Sequence, residues 1–328
     1  MMGKALLATA AVAIGLTGPA SAETWTLFTP FTTNDKPTQL YRAFAEDVKA
    51  ATNGDLVIEV YTGGELPYKN SDVLKALATQ QVQIADLAVG PVAGDVPDLN
   101  VFVLPFLCTT MDGFYAATAE ALPIINERLN SKFGVNALTA WTMPPQEIWL
   151  KDGVDGITDL AGRKVRTWNR MQAEMMELFG GSGVSITPAE VIPALQRGVV
   201  DGAITAVVPA YDWKFYEVTK YGYMLNFTMT NQLIAVNQAA FDALSPETQT
   251  ALADTAAAWQ DKFRAGIEEA AAAAKTNLEA EGMTLIDPSE ADIAKARELT
   301  SPLREQWVSE NGELADRLLS SVSGACGA

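Results

Sequence analysis

Arg166 and Trp168 stand two residues apart in the run Ile157-Thr-Asp-Leu-Ala-Gly-Arg-Lys-Val-Arg-Thr-Trp-Asn-Arg170. In an extended strand, residues two apart share a face, so a guanidinium and an indole point the same way, and Arg170 follows on that side if the strand runs on. The guanidinium offers a planar fork of donors and the indole a flat apolar wall, which together suit an organic carboxylate. The competing reading is an edge-strand arginine in a surface salt bridge, with its tryptophan in the core.

The surrounding pattern supplies the elements that would hold this pair. Ile157–Leu160 reads as a helical turn, Gly162 as a tight turn and Lys164–Trp168 as a strand. Asn169 caps a helix from Arg170 to Phe179, closed by Gly180-Gly181. Met171, Met175 and Met176 share one face of that helix and read as core. Upstream, strands at 23–31, 56–61 and 84–89 alternate with helices at 37–52 and from Asn70 or Ser71 onward, and Leu99–Leu107 is a buried strand or turn. A helix over 111–129 precedes a strand at 137–141, and Pro144-Pro145 then stops regular structure, as a crossover between domains would. Downstream come a helix at 188–197, a strand at 202–207, a helix beginning at Tyr211–Tyr216 and a strand at 233–237. Strands alternating with helices of this size predict an α/β architecture with covered sheets.

Ser245-Pro246 caps a helical run to about Glu281, roughly 50 Å at 1.5 Å per residue, long enough to reach across two domains; a bend near Gly266 is the alternative. Short helices from Ser289 and Pro302 are expected to finish the chain, with 320–328 loose.

The N-terminus carries Lys4, an apolar run from Ala5 to Leu16 and Ala20-Ser21-Ala22, the pattern of a cleaved signal peptide with a mature start at Glu23. No later apolar run approaches the ~20 residues of a spanning helix. Without Lys4 the chain has 22 Lys and Arg against 40 Asp and Glu, a formal charge of −18. Nucleic acid and anionic membranes require a basic footprint and are not expected partners. Histidine is absent, which excludes His-based triads, His-ligated zinc or haem and imidazole acid–base catalysis. No cofactor is expected, and although Asp212 and Glu147 lie near the predicted cleft they define no metal site. Cys108, in Val103-Leu-Pro-Phe-Leu-Cys108, reads as a free core thiol; a bond to the distant Cys326 is the alternative.

The sequence resembles the DctP-like solute-binding proteins of tripartite ATP-independent periplasmic (TRAP) transporters. The resemblance rests on Gly63-Gly-Glu-Leu66, Leu104-Pro-Phe-Leu107, Asp159–Arg166, Ala194-Leu-Gln-Arg-Gly-Val-Val-Asp-Gly202, Lys214–Tyr221 and Phe241-Asp-Ala-Leu-Ser-Pro246, in this order and spacing. It implies a two-domain periplasmic binding protein fold, type II-like, with a long helix spanning both domains and the ligand cleft between them. The expected division is 23–143 with about 232–271 as domain I, and 144–231 with about 272–328 as domain II. It also implies an organic-acid ligand, the small and large TRAP membrane subunits as partners, and a periplasmic location.

By resemblance, Arg166 inherits the carboxylate-holding role. Thr205 takes the place of the family's asparagine after Asp-Gly, Trp168 a proline-like position, Gln146 a basic position and Phe227 a histidine. These departures predict a monocarboxylate with an apolar or aromatic body, walled by Trp168, Phe31, Tyr211 and Trp213. Arg170 as a second fork would instead favour a dicarboxylate or uronate, although a cation there opposes the helix dipole. Two other functions compete. One is a ligand-sensing partner of a signalling receptor; the other is an exported enzyme, for which acidic pairs such as Asp95/Asp98 or Glu268/Glu269 lie in no catalytic motif.

Overall fold

A computed structural model describes residues 22–326; the signal-peptide reading of residues 1–22 therefore falls, but for Ala22, outside the described residues. The first stretch runs β1 (Glu23–Phe28), α1 (Lys36–Ala51), β2 (Leu56–Tyr61), α2 (Val73–Ala78), β3 (Ile84–Ala88), α3 (Met111–Phe133) and β4 (Val135–Trp141). After the two prolines come β5 (Gln146–Leu150), β6 (Lys164–Thr167), α4 (Arg170–Leu178), β7 (Ser182–Ser185), α5 (Val191–Gln196), β8 (Gly202–Ala206), α6 (Val207–Asp212) and β9 (Tyr221–Tyr223). The chain ends with β10 (Gln232–Asn237), α7 (Gln238–Ala243), α8 (Pro246–Ala280), β11 (Thr284–Ile286) and α9 (Glu290–Cys326).

Two mixed sheets result. The first has five strands in the order β2-β1-β3-β10-β4, and the second has six in the order β11-β9-β5-β8-β6-β7. The backbone passes from the first sheet to the second at 142–145 and returns at 224–231, as the Pro144-Pro145 pair predicts for the first passage. β10 runs antiparallel to both its neighbours, so the returning strand completes the first sheet rather than lying at its edge.

α8 is one unbroken helix of 35 residues, as its cap predicts: the Ser245 hydroxyl accepts from the Thr248 N–H and Pro246 occupies the first turn. Gly266 does not bend it; a Cβ there would lie 3.0 Å from Leu40 of α1, so glycine lets the two helices approach. Leu252, Trp259, Phe263 and Ile267 of α8 join a single apolar cluster that draws Trp25 and Leu27 from the first sheet and Trp149 and Ala203 from the second.

The C-terminus departs from expectation. α9 replaces the two short helices and the loose tail; it runs to Cys326 with a break at Gly312, whose φ of 61° is left-handed. Pro302 is tolerated inside it because the Glu298 carbonyl, deprived of its helical donor, accepts from the Ser301 hydroxyl at 2.9 Å. Ala296 and Leu303 pack under the second sheet, whereas Trp307, Ala315, Leu318 and Val322 return to the first sheet's core beside α3. The stretch beyond about Leu303 thus packs with the first sheet's core, whereas the sequence groups all of 272–328 with the second domain. A disulfide joins Cys108 to Cys326, which corrects the free-thiol reading. Gly113 makes room for it, since a Cβ there would meet the Ala325 carbonyl at 3.2 Å and Cys326 Cα at 3.4 Å.

One buried group in the first sheet titrates near neutrality. Asp86 of β3 is fully buried, with Thr29 Oγ1 donating to Oδ2 at 3.0 Å and no partner for Oδ1. Burial pushes its carboxyl up to about 7 from 3.8. The folded protein thus holds a proton that the unfolded chain releases between about pH 4 and 7. The associated stability is fully present below pH 4 and is lost as pH rises through 7. Asp86→Asn keeps an acceptor for Thr29 without titrating. We expect it to match wild type near pH 4 and exceed it by a few kcal/mol at pH 8 in urea unfolding; equal stability at both pH values would contradict the assignment.

Candidate functional site

Arg166 sits on β6, an interior strand of the second sheet, paired in register with Val184 of β7 and Ala203 of β8. It is 2 % exposed. Nε donates to the Ile186 carbonyl at 2.9 Å and Nη1 to the Ile204 carbonyl at 2.8 Å, which fixes the plane of the guanidinium. Among the described residues no carboxylate pairs with it, and burial alone pushes its pKa down to about 9, so it is a buried cation at neutral pH. A buried charge without a counter-ion is costly unless an anion supplies one.

Trp168 lies on the same side, as strand parity predicts, and both residues line a small inner chamber of about 50 Å³ and its wider mouth of about 180 Å³. Asn169 caps α4 by accepting from the Gln172 N–H at 2.8 Å, which turns the chain immediately after Trp168. Opposite stands Gly90, just past β3. A Cβ there would fall 2.5 Å from Trp168 Cζ3 and 2.9 Å from Asn169 Nδ2. Gly90→Ala should therefore displace the indole and weaken acid binding about ten- to a hundredfold. Calorimetric titration checks this, and wild-type affinity in the variant would refute the close approach.

Trp213 forms the far wall. Its ring lies 6.0 Å from the Arg166 guanidinium, and its Nε1 donates to Asp35 Oδ2 at 3.1 Å. Beside this bond the Lys36 N–H donates to Asp212 Oδ2 at 3.0 Å. The dipeptides Asp35-Lys36 and Asp212-Trp213 thus clasp each other reciprocally. Burial raises the pKa of both carboxyls, that of Asp212 to about 6.

Of the residues named from sequence, Arg166, Trp168, Gln146, Thr205, Phe31 and Trp213 meet around the inner chamber. Tyr211 does not line it and packs beside Tyr216, ring centroids 6.1 Å apart. Arg170 lines the mouth, where its Nε is paired with Glu174 Oε1 at 2.6 Å and its side chain is 81 % exposed. Glu147 and Asp212 do not converge. Glu147 faces away from Gln146 by strand alternation and accepts from the Asn226 N–H at 2.9 Å. Among the described residues no group of three or more acidic or cysteine side chains is placed to hold a metal ion.

Sequence reasoning missed Asn70, Gly90, Thr230 and Gln232, all lining the cleft. Gln232 carried a signal: it is a polar residue opening the otherwise apolar run Gln232-Leu-Ile-Ala-Val236, where one face must meet something polar.

A sequence profile for bacterial extracellular solute-binding proteins, family 7, matches residues 32–311. The chain belongs to this family. Its relatives include the C4-dicarboxylate-binding periplasmic protein DctP of Rhodobacter capsulatus, 27% identical over 326 residues, covering 96% of this chain and 93% of that one. The Bordetella pertussis solute receptor DctP6, a crystal structure binding pyroglutamic acid, superposes with a TM-score of 0.88 at 25% identity, over 92% of this chain and 100% of that one. A TRAP periplasmic solute-binding protein of Chromohalobacter salexigens with bound D-glucuronate gives a TM-score of 0.85 at 22% identity, over 92% and 99% of the two chains. The family is one of solute receptors, and the two-sheet architecture with its long helix is the TRAP receptor fold. No helix among the described residues is long and apolar enough to cross a membrane.

Proposed function

We propose that the protein is the periplasmic receptor of a TRAP transporter, capturing a small monocarboxylate on Arg166 and delivering it to the small and large membrane subunits. In this reading the two lobes are 23–143 with about 232–271, and 144–231 with about 272–303; α9 beyond Leu303 rejoins the first lobe. The supporting observation is the buried Arg166 guanidinium, which has protein carbonyls on Nε and Nη1, no protein carboxylate, and a chamber in front of it. A ligand carboxylate would provide the missing counter-ion, and closure of the lobes around it would present a changed surface to the permease.

A single charge favours a monocarboxylate. Among the described residues Arg166 is the one charged side chain lining the inner chamber, and Arg170 is paired with Glu174. The names of relatives are consistent with carboxylate recognition in this fold, since they include receptors for pyroglutamate, D-glucuronate and C4-dicarboxylates. Thermal-shift screening of Glu23–Ala328 against mono- and dicarboxylates and uronates tests the reading. At a hundred times its dissociation constant a ligand adds about 2.7 kcal/mol, a readily visible shift. Monocarboxylates should stabilise wild type and not Arg166→Ala. A dicarboxylate hit would keep the receptor and change the ligand; an equal response of the variant would place the clamp elsewhere.

A further inference from the structure

The chamber asks for more than a counter-ion to Arg166. Gln146 and Gln232 are 3 % and 4 % exposed and line it together; each is the first residue of a strand that follows a passage between the sheets. Among the described residues Gln232 Oε1 has no hydrogen-bond partner, nor do Asn70 Oδ1 and Trp168 Nε1, whose residues line the same space. Gln146 makes no side-chain hydrogen bond among the described residues. A carboxamide carries both an N–H donor pair and a carbonyl acceptor, so the demand holds whichever way each amide is turned. Buried polar groups left unpaired are costly, and a site built around two of them rejects any ligand that cannot answer both.

We propose that the ligand is a compact monocarboxylate whose end remote from Arg166 carries a neutral amide-like group, a donor and an acceptor side by side, read by Gln146 and Gln232. The inference rests on the carboxylate reading of Arg166 and adds the chemistry of the other end. Neutrality follows because, among the described residues, no charged side chain other than Arg166 lines the inner chamber. A compact body suits the chamber of about 50 Å³, which continues past Asn70, Arg166 and Trp168 into the adjoining space of about 180 Å³. The indoles of Trp168 and Trp213 offer flat apolar walls, so a small ring with apolar faces and a polar edge meets every surface present. This replaces a wholly apolar or aromatic ligand body.

The test is calorimetric titration with two acids of matched shape. L-Pyroglutamate is a five-membered ring bearing a lactam; cyclopentanecarboxylate is the same ring without N–H or carbonyl. Wild type should bind the lactam at least about a hundredfold more tightly than the carbocycle. Gln232→Leu and, separately, Gln146→Leu should reduce that ratio below about tenfold, with melting of each variant confirming that it is folded. A carbocycle that binds as tightly as the lactam, a ratio unchanged in both variants, or binding of neither acid overturns the inference. If lactam binding survives undiminished in Arg166→Ala, the carboxylate reading itself fails, an outcome distinct from failure at the amide end.

Discussion

Arg166→Ala should lower affinity for the bound acid a hundred- to a thousandfold, about 3–4 kcal/mol, while the ligand-free protein melts no lower than wild type. The two halves of this expectation come from one geometry. With ligand, the guanidinium forms a charge-assisted pair in a space that closure dries, and removing it strands a carboxylate without a partner. Without ligand, the same guanidinium is a buried cation held by two backbone carbonyls and no acid, a condition that costs the fold rather than stabilising it. Arg166→Lys retains charge but not the planar fork fixed by Ile186 and Ile204, so its affinity should fall between the two. Titration calorimetry and melting of the ligand-free proteins read the two quantities separately. A variant that loses stability in step with affinity would mean that Arg166 is a structural residue and not the carboxylate clamp.

Breaking the Cys108–Cys326 bond should have the opposite signature. The cysteines lie 218 positions apart, so the cross-link restricts a loop comprising most of the chain in the unfolded state. Chain-entropy reasoning gives a stabilisation of about 3–5 kcal/mol, and Cys326→Ser or added reductant should lower the melting temperature by roughly 10 °C. Neither cysteine lines the cleft, so acid affinity should not change. A melting temperature indifferent to reductant would remove the bond's structural role. A collapse of affinity would show that α9 takes part in shaping the cleft.

What the sequence made legible was local. Parity along Lys164–Thr167 put Arg166 and Trp168 on one side, Asn169 and Ser245-Pro246 announced their helices, and Pro144-Pro145 marked a passage between sheets. A local signal went unused at Arg170 and Glu174, which are four apart on α4, the spacing of the helical ion pair they form. The remaining misses depend on contacts distant in sequence. Gly90 matters because Trp168 comes within reach of it, Gln232 because the returning strand starts beside Gln146, and Cys108 because α9 ends against α3. Gln232 alone leaves a local trace, as the polar opening of an apolar strand; the encounters of Gly90 and Cys108 leave none in the residues around them.

The long helix α8 bears on how the two lobes come apart. Its buried residues, from Leu252 through Ile267 to Leu278, serve a cluster to which both sheets contribute. Neither lobe can unfold without stripping apolar cover from a helix on which the other also depends. The two sheets therefore lose their structure as one cooperative unit, and free energy supplied by a ligand at Arg166 is shared by β1 and β2 as well as by the strands around the guanidinium.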